Sequence, residues 1–145
     1  MKRKEFKTTI AAPRERVWQV LWNDETYRKW TAIFSEGSWA DTDWQEGSQV
    51  LFLSADGDGM IARFAEKRPN EFMGIEHLGV IKNGKADMES EELQGWKGAR
   101  ENYTLAQVGD QTELIVEMDI TEAYLDYFTK VWPKALQKVK FLCEN

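Results

Sequence analysis

From Lys4 to Ile10 the chain alternates, with Phe6, Thr8 and Ile10 on one side and Lys7 and Thr9 on the other, which predicts an opening strand. The period then changes. Pro13 suits a first helical turn, Glu15 stands near its positive end, and Val17, Val20 and Leu21 recur at helical spacing, with Trp18 and Trp22 as neighbours four residues apart. Asp24 caps a second short helix running through Tyr27 to about Trp30.

Beyond Ser35 to Gly37 the pattern becomes that of strands, at roughly 38–41, 48–54, 60–67, 72–81, 101–108 and 112–119. Turn signals separate them: "DGDG" at Asp56 to Gly59, "RPNE" at Arg68 to Glu71 and "VGDQ" at Val108 to Gln111. Sequential antiparallel pairing follows most simply. In the last strand Leu114, Val116 and Met118 alternate with Glu113, Ile115 and Glu117, so one face is buried. Thr121 to Leu142 is helical, with a stripe built from Tyr124, Phe128, Val131 or Trp132, Ala135 or Leu136, Val139 and Leu142. It is expected to fill the hollow of the sheet, and Pro133 to kink or split it near Trp132. Lys82 to Gly98 fits neither period and reads as an extended loop holding Trp96, with a short helical turn near Ser90 to Leu93.

These elements make one α+β domain over residues 1–145, a length sufficient for a core without disulfides or metals. A formal charge of -6 opposes the phosphate contacts on which nucleic-acid affinity depends, so a nucleic-acid partner is set aside. No apolar run approaches the roughly 18 residues of a membrane span, and the basic start leads into an alternating segment instead of a signal-peptide core. The lone Cys143 forms no internal disulfide and reads as a small apolar residue of the last helical turn. A cytoplasmic location is the expectation.

The opening "IAAPRERVWQVLWNDETYRKW" resembles the start of SRPBCC-superfamily (START-like) domains, where a short strand ends at Ala-Pro and a Val-Trp helix leads to a tryptophan. Within that superfamily "WQEGSQVLF", "ENYTL" and "YFTKVWPKALQKVK" look most like the branch named for the activator of the heat-shock-protein-ninety ATPase. The resemblance implies a helix-grip fold: a curved antiparallel sheet of about six to seven strands wrapped around a long C-terminal helix, with a cavity between them. Members bind lipids, hormones or polyketides, act as cyclases or dehydratases, or serve as co-chaperone modules, so the fold implies a cavity and not a chemistry.

The residues themselves add detail. His77 shares a strand face with Met73 and Ile75; if that face is the concave one, it is a polar handle in the cavity. With no second histidine or cysteine partner, neither a Cys-His nor a Ser-His-Asp arrangement has support, and no catalytic residue is assigned. "GVIKNGKA" at Gly79 to Ala86 matches part of a phosphate loop but has Ala86 where a magnesium-binding hydroxyl belongs, and Asn83-Gly84 reads as a turn. "DGDG" lacks the further oxygen ligands of a calcium loop, and "NYT" at Asn102 to Thr104 reads as strand. No metal or cofactor is expected. Asp87, Glu89, Glu91 and Glu92 read as a solvated acidic loop.

The aromatics remain. Trp18 and Trp22 are expected to pack the first helix against the sheet. Trp30, Phe34, Trp39, Phe52, Phe64, Tyr103, Phe128 and Trp132, with His77, are the candidate ligand-binding residues, Trp44 and Met60 lying near them and Trp30 bordering the entrance. The expected function is binding of a small hydrophobic or amphipathic molecule in that cavity. The alternatives are a cyclase or dehydratase using the same cavity, and a protein-binding module with a chaperone partner.

Overall fold

The computed structural model describes residues 1–145. A strand β1 (Lys2–Ile10) leads into helices α1 (Arg14–Trp22) and α2 (Asp24–Thr31). Strands β2 (Trp39–Asp41), β3 (Gln49–Leu53), β4 (Gly59–Arg68), β5 (Phe72–Lys82), β6 (Lys85–Asp87), β7 (Arg100–Val108) and β8 (Gln111–Ile120) follow, and α3 (Glu122–Glu144) closes the chain. Each strand of the sheet pairs antiparallel in the order β1-β8-β7-β5-β4-β3-β2, with β6 folded back on β5. The only strand absent from the sequence reading is β6, three residues long, turned by Asn83 and Gly84 at positive φ.

The alternation expected of β8 holds: Thr112, Leu114, Val116, Met118 and Ile120 are buried, and the residues between them are half-exposed. Register shifts in β4 at Ile61/Ala62 and Phe64/Glu66 mark bulges that bend the sheet. Gly59 begins β4 because nothing larger fits: a Cβ there would lie 1.8 Å from the Phe52 carbonyl oxygen.

α3 departs from the expected stripe. Trp132, Ala135, Leu136, Val139 and Cys143 are buried, whereas Tyr124 is 60% and Tyr127 41% exposed, so only the C-terminal half grips the sheet. Pro133 neither splits nor ends the helix. Its missing donor costs about 3 kcal/mol in a helix interior, which the burial of Trp132, Ala135 and Leu136 on either side of it outweighs.

Polar bonds fasten the end of α3 to the beginning of the chain. Arg16 donates to the Leu142 carbonyl at 2.9 Å, the Ala11 amide donates to Glu144 at 2.7 Å, and Lys140 donates to the Thr9 carbonyl at 2.9 Å. Inside, the Thr112 hydroxyl donates to the Ala12 carbonyl at 2.8 Å, fixing the turn from β1 into α1. Burial pushes the Cys143 thiol up to about 12, as expected of a residue that packs instead of reacting.

The unequal halves of α3 give a direct expectation. Trp132→Ala should cost about 3–5 kcal/mol in urea unfolding and Tyr124→Ala no more than about 0.5 kcal/mol. Equal costs at the two positions would contradict a one-sided grip.

Candidate functional site

The space between sheet and α3 is occupied by aromatic rings. Trp30, Phe64, Tyr103 and Trp132 are each exposed by 2% or less. Trp132 contacts Trp30 at 6.1 Å, Tyr103 at 6.1 Å and Phe34 at 4.9 Å between ring centroids, and its indole nitrogen donates to the Met118 sulfur at 2.8 Å. Trp22 meets Tyr103 edge-on at 4.8 Å, and Tyr27 bridges Trp30, Trp44 and Phe52. Edge-to-face pairs of this kind add about 0.5–1.5 kcal/mol each beyond the area they bury.

Trp44 sits in this cluster at φ 62°, a conformation costly for a bulky side chain. It is held there by its stack on Phe64, 5.5 Å away with the planes 23° apart, and by the Lys67 ammonium, which donates to its carbonyl at 2.7 Å.

Most candidate residues therefore come together, though not as a lined opening. Trp30, placed at an entrance by the sequence reading, is buried, and its indole donates to the Leu21 carbonyl at 3.2 Å, locking α2 onto α1. Phe52 and Phe34 are half-buried at the edge of the cluster, and Phe128 packs on Phe34 beside the exposed half of α3. Trp39 is not brought in: it lies on the short edge strand β2 beneath the Arg28 guanidinium, 5.5 Å from its ring centre. Trp22, expected only to hold down α1, lies among the interior rings, while Trp18 packs partly exposed against it.

His77 does point inward with Met73 and Ile75, opposite the fully buried Ala62 on β4. Beside it is a residue that the sequence reading passed over. Glu101 follows Arg100 at the start of β7, two residues from Tyr103 and therefore on the same concave face. One Glu101 carboxylate oxygen lies 3.0 Å from His77 Nε2, and the other accepts a hydrogen bond from the Tyr103 hydroxyl. A carboxylate accepts only, so Nε2 carries a proton, and in the neutral imidazole Nδ1 then presents a lone pair. That Nδ1 is buried and has no partner. The signal in sequence was the spacing of "ENYTL", a carboxylate two positions from a buried tyrosine, which takes on meaning only once β5 brings His77 alongside.

The surroundings act on the phenols. Burial, reinforced by the Glu101 charge and hydrogen bond, holds Tyr103 well above its ordinary value, and burial followed by the same charge does so for Tyr27. Trp96, from the segment between β6 and β7, covers His77 at 5.3 Å and 32°. That segment forms a 3-10 turn at Glu91–Leu93 with Leu93 buried, and the ladder continues past it through His77 N to Ala99 O at 2.9 Å and Gly98 N to His77 O at 2.8 Å. Two open surface grooves lie elsewhere: one among Arg16, Asn23, Lys29 and Leu142, the other between Phe6 and Pro133. No helix is long and apolar enough to cross a membrane, and no three His, Cys, Asp or Glu residues are grouped to hold a metal.

This architecture is shared widely among solved structures. MLL2253 from Mesorhizobium loti superposes with a TM-score of 0.74 at 14% identity, over 97% of this chain and 96% of that one. The Aha1 dimer from Colwellia psychrerythraea gives 0.71 at 21% identity over 99% and 97% of the two chains. CalU16 from Micromonospora echinospora gives 0.68 at 18% identity over 97% and 75%. The fold is the helix grip. No family model matches the chain, and no curated protein matches it.

Two expectations follow for the site. Of the four tyrosines, Tyr27 and Tyr103 should stay protonated through the ordinary range near 10 while the protein is folded, so absorbance at 295 nm should show them ionising only on unfolding. Because their folded values are raised, the stability they confer is complete below about pH 10 and is lost as pH rises beyond it. Glu101→Ala leaves the Tyr103 hydroxyl and the His77 Nε2 proton unpaired and should cost about 2–4 kcal/mol in denaturant melts, Glu101→Gln costing less.

Proposed function

We propose that the protein reversibly binds a small hydrophobic or amphipathic molecule at the concave face of the sheet, between β5, β7 and the rings that α2 and α3 place over them. The observation that carries this reading is the polar group set into an aromatic interior: Glu101, His77 and Tyr103 joined by hydrogen bonds, with His77 Nδ1 buried and unpartnered. Buried polar atoms are normally paired, and an orphaned acceptor beside apolar walls is what a ligand with one polar substituent would satisfy. Ala62, paired with His77 across β4 and β5, is the small side chain next to the imidazole on that face. Binding requires rings to move apart, since those between sheet and helix are in contact.

The same group keeps the cyclase or dehydratase alternative in view, because a carboxylate-backed imidazole is a competent proton acceptor. A protein-binding role has its own support in the exposed strip formed by Tyr124, Tyr127 and Ile33, with Tyr127 donating to the Phe34 carbonyl at 2.9 Å. Such strips mark interaction surfaces more often than chance. Under that reading Tyr124→Ser together with Tyr127→Ser abolishes any stimulation of a heat-shock-protein-ninety ATPase; unchanged turnover on adding the native protein at saturation counts against it.

The ligand reading is tested by native mass spectrometry of protein purified from its own cells, followed by denaturing extraction. A discrete bound mass of a few hundred daltons is expected. An empty protein, unshifted in melting by a panel of lipids and polyketides, would refute it.

A further inference from the structure

Resting on that reading, we infer that the site recognises an aromatic hydroxyl compound, a phenol or naphthol, and that Trp96 occupies the ring position in the unliganded protein. Glu101 takes protons from Tyr103 at one oxygen and from His77 Nε2 at the other. In the neutral imidazole its accepting role places the proton on Nε2 and leaves Nδ1 as an acceptor without a donor. The missing partner is therefore a hydrogen-bond donor, which excludes ethers, esters and hydrocarbons as good ligands. A carboxylic acid fits poorly, because its anion offers no donor and would sit in the field of Glu101.

The indole supplies the second half of the argument. His77 is 3% exposed and has two aromatic neighbours, Phe52 at 6.3 Å and Trp96 at 5.3 Å between ring centroids. Phe52 belongs to the ladder of β3, paired with Met60 and Ala40. Trp96 belongs to no strand, is half-buried, and stands between Gly95 and Gly98, where an added Cβ would meet nothing within 4 Å. Its side chain is the removable one. A centroid separation of 5.3 Å with a 32° tilt is a tilted ring contact that a flat bicyclic ring can take over from the indole. The vacated space has the size of an indole. A ring of that size bearing a hydroxyl replaces the indole's packing and donates to Nδ1, with Glu101 opposite to stabilise the imidazole as its acceptor strengthens.

The test uses the full chain and two probes of nearly equal size, 2-naphthol and 2-methoxynaphthalene, titrated calorimetrically. Because the protein has a single histidine, long-range nitrogen–proton NMR of 15N-labelled protein reads His77 without assignment. The free protein should show the Nε2-protonated tautomer. 2-Naphthol should move the Nδ1 resonance and bind about tenfold tighter than the ether, the difference expected for one hydrogen bond to a buried acceptor. Trp96→Ala should bind 2-naphthol more tightly than the native protein, having no ring to displace. Equal affinities, an unmoved Nδ1 signal, or weaker binding by Trp96→Ala each overturns the inference. A bound mass from cells alongside any of those results would leave interior binding standing and remove only the hydroxyl recognition.

Discussion

One antiparallel sheet has a concave face that must be kept from water, and this chain offers it a single long helix of which only one half is apolar toward the sheet. The shortfall is met by rings. Trp132 from α3, Trp30 from α2, Trp22 from α1 and Tyr103 from β7 converge because each is large enough to span from its own element to the next. Two features otherwise costly depend on that convergence: a proline inside α3 and a tryptophan in left-handed backbone at position 44. Each is tolerated because large side chains beside it pack into the ring cluster.

A core of rings has flat faces and stiff edges, and it places its few polar atoms where they can be reached by only certain partners. Trp30 and Trp132 satisfy their indole nitrogens within the protein, on a carbonyl and a thioether, whereas that of Trp22 is buried without a partner. The Glu101 group is different. Each of its carboxylate oxygens is engaged, yet the histidine it orients is left with one ring nitrogen unpartnered. What sets this nitrogen apart from the unpartnered Trp22 indole is that it belongs to a hydrogen-bonded group of three side chains on the concave face.

How far the sequence revealed this depended on the range of the interactions concerned. Periodicity located every long element because alternation in β8 and helical spacing in α1 reflect burial against whatever lies opposite. It placed His77 correctly with Met73 and Ile75, since a strand face is a local property. It overstated α3, where Tyr124 continues the stripe in sequence but is exposed and Phe128 is only half-buried against Phe34. It could not find Glu101, whose significance arises from the pairing of β5 with β7 across 24 residues. Nor could it tell a lined opening from a filled one, because Trp30 and Phe64 have the same letters in either case.

The ties between the end of α3 and the turn after β1 carry a kinetic meaning. The Ala11 and Glu144 contact spans 133 residues, and Lys140 reaches Thr9 across 131. Contacts of that separation close last, after their loop entropy has been offset by pairing in between, and high contact order slows the search. The β3 to β5 meander closes short hairpins and can form early. The concave face, and the histidine set into it, should thus exist as a shaped surface only after the longest-range contacts have formed, so that this face is completed late in folding.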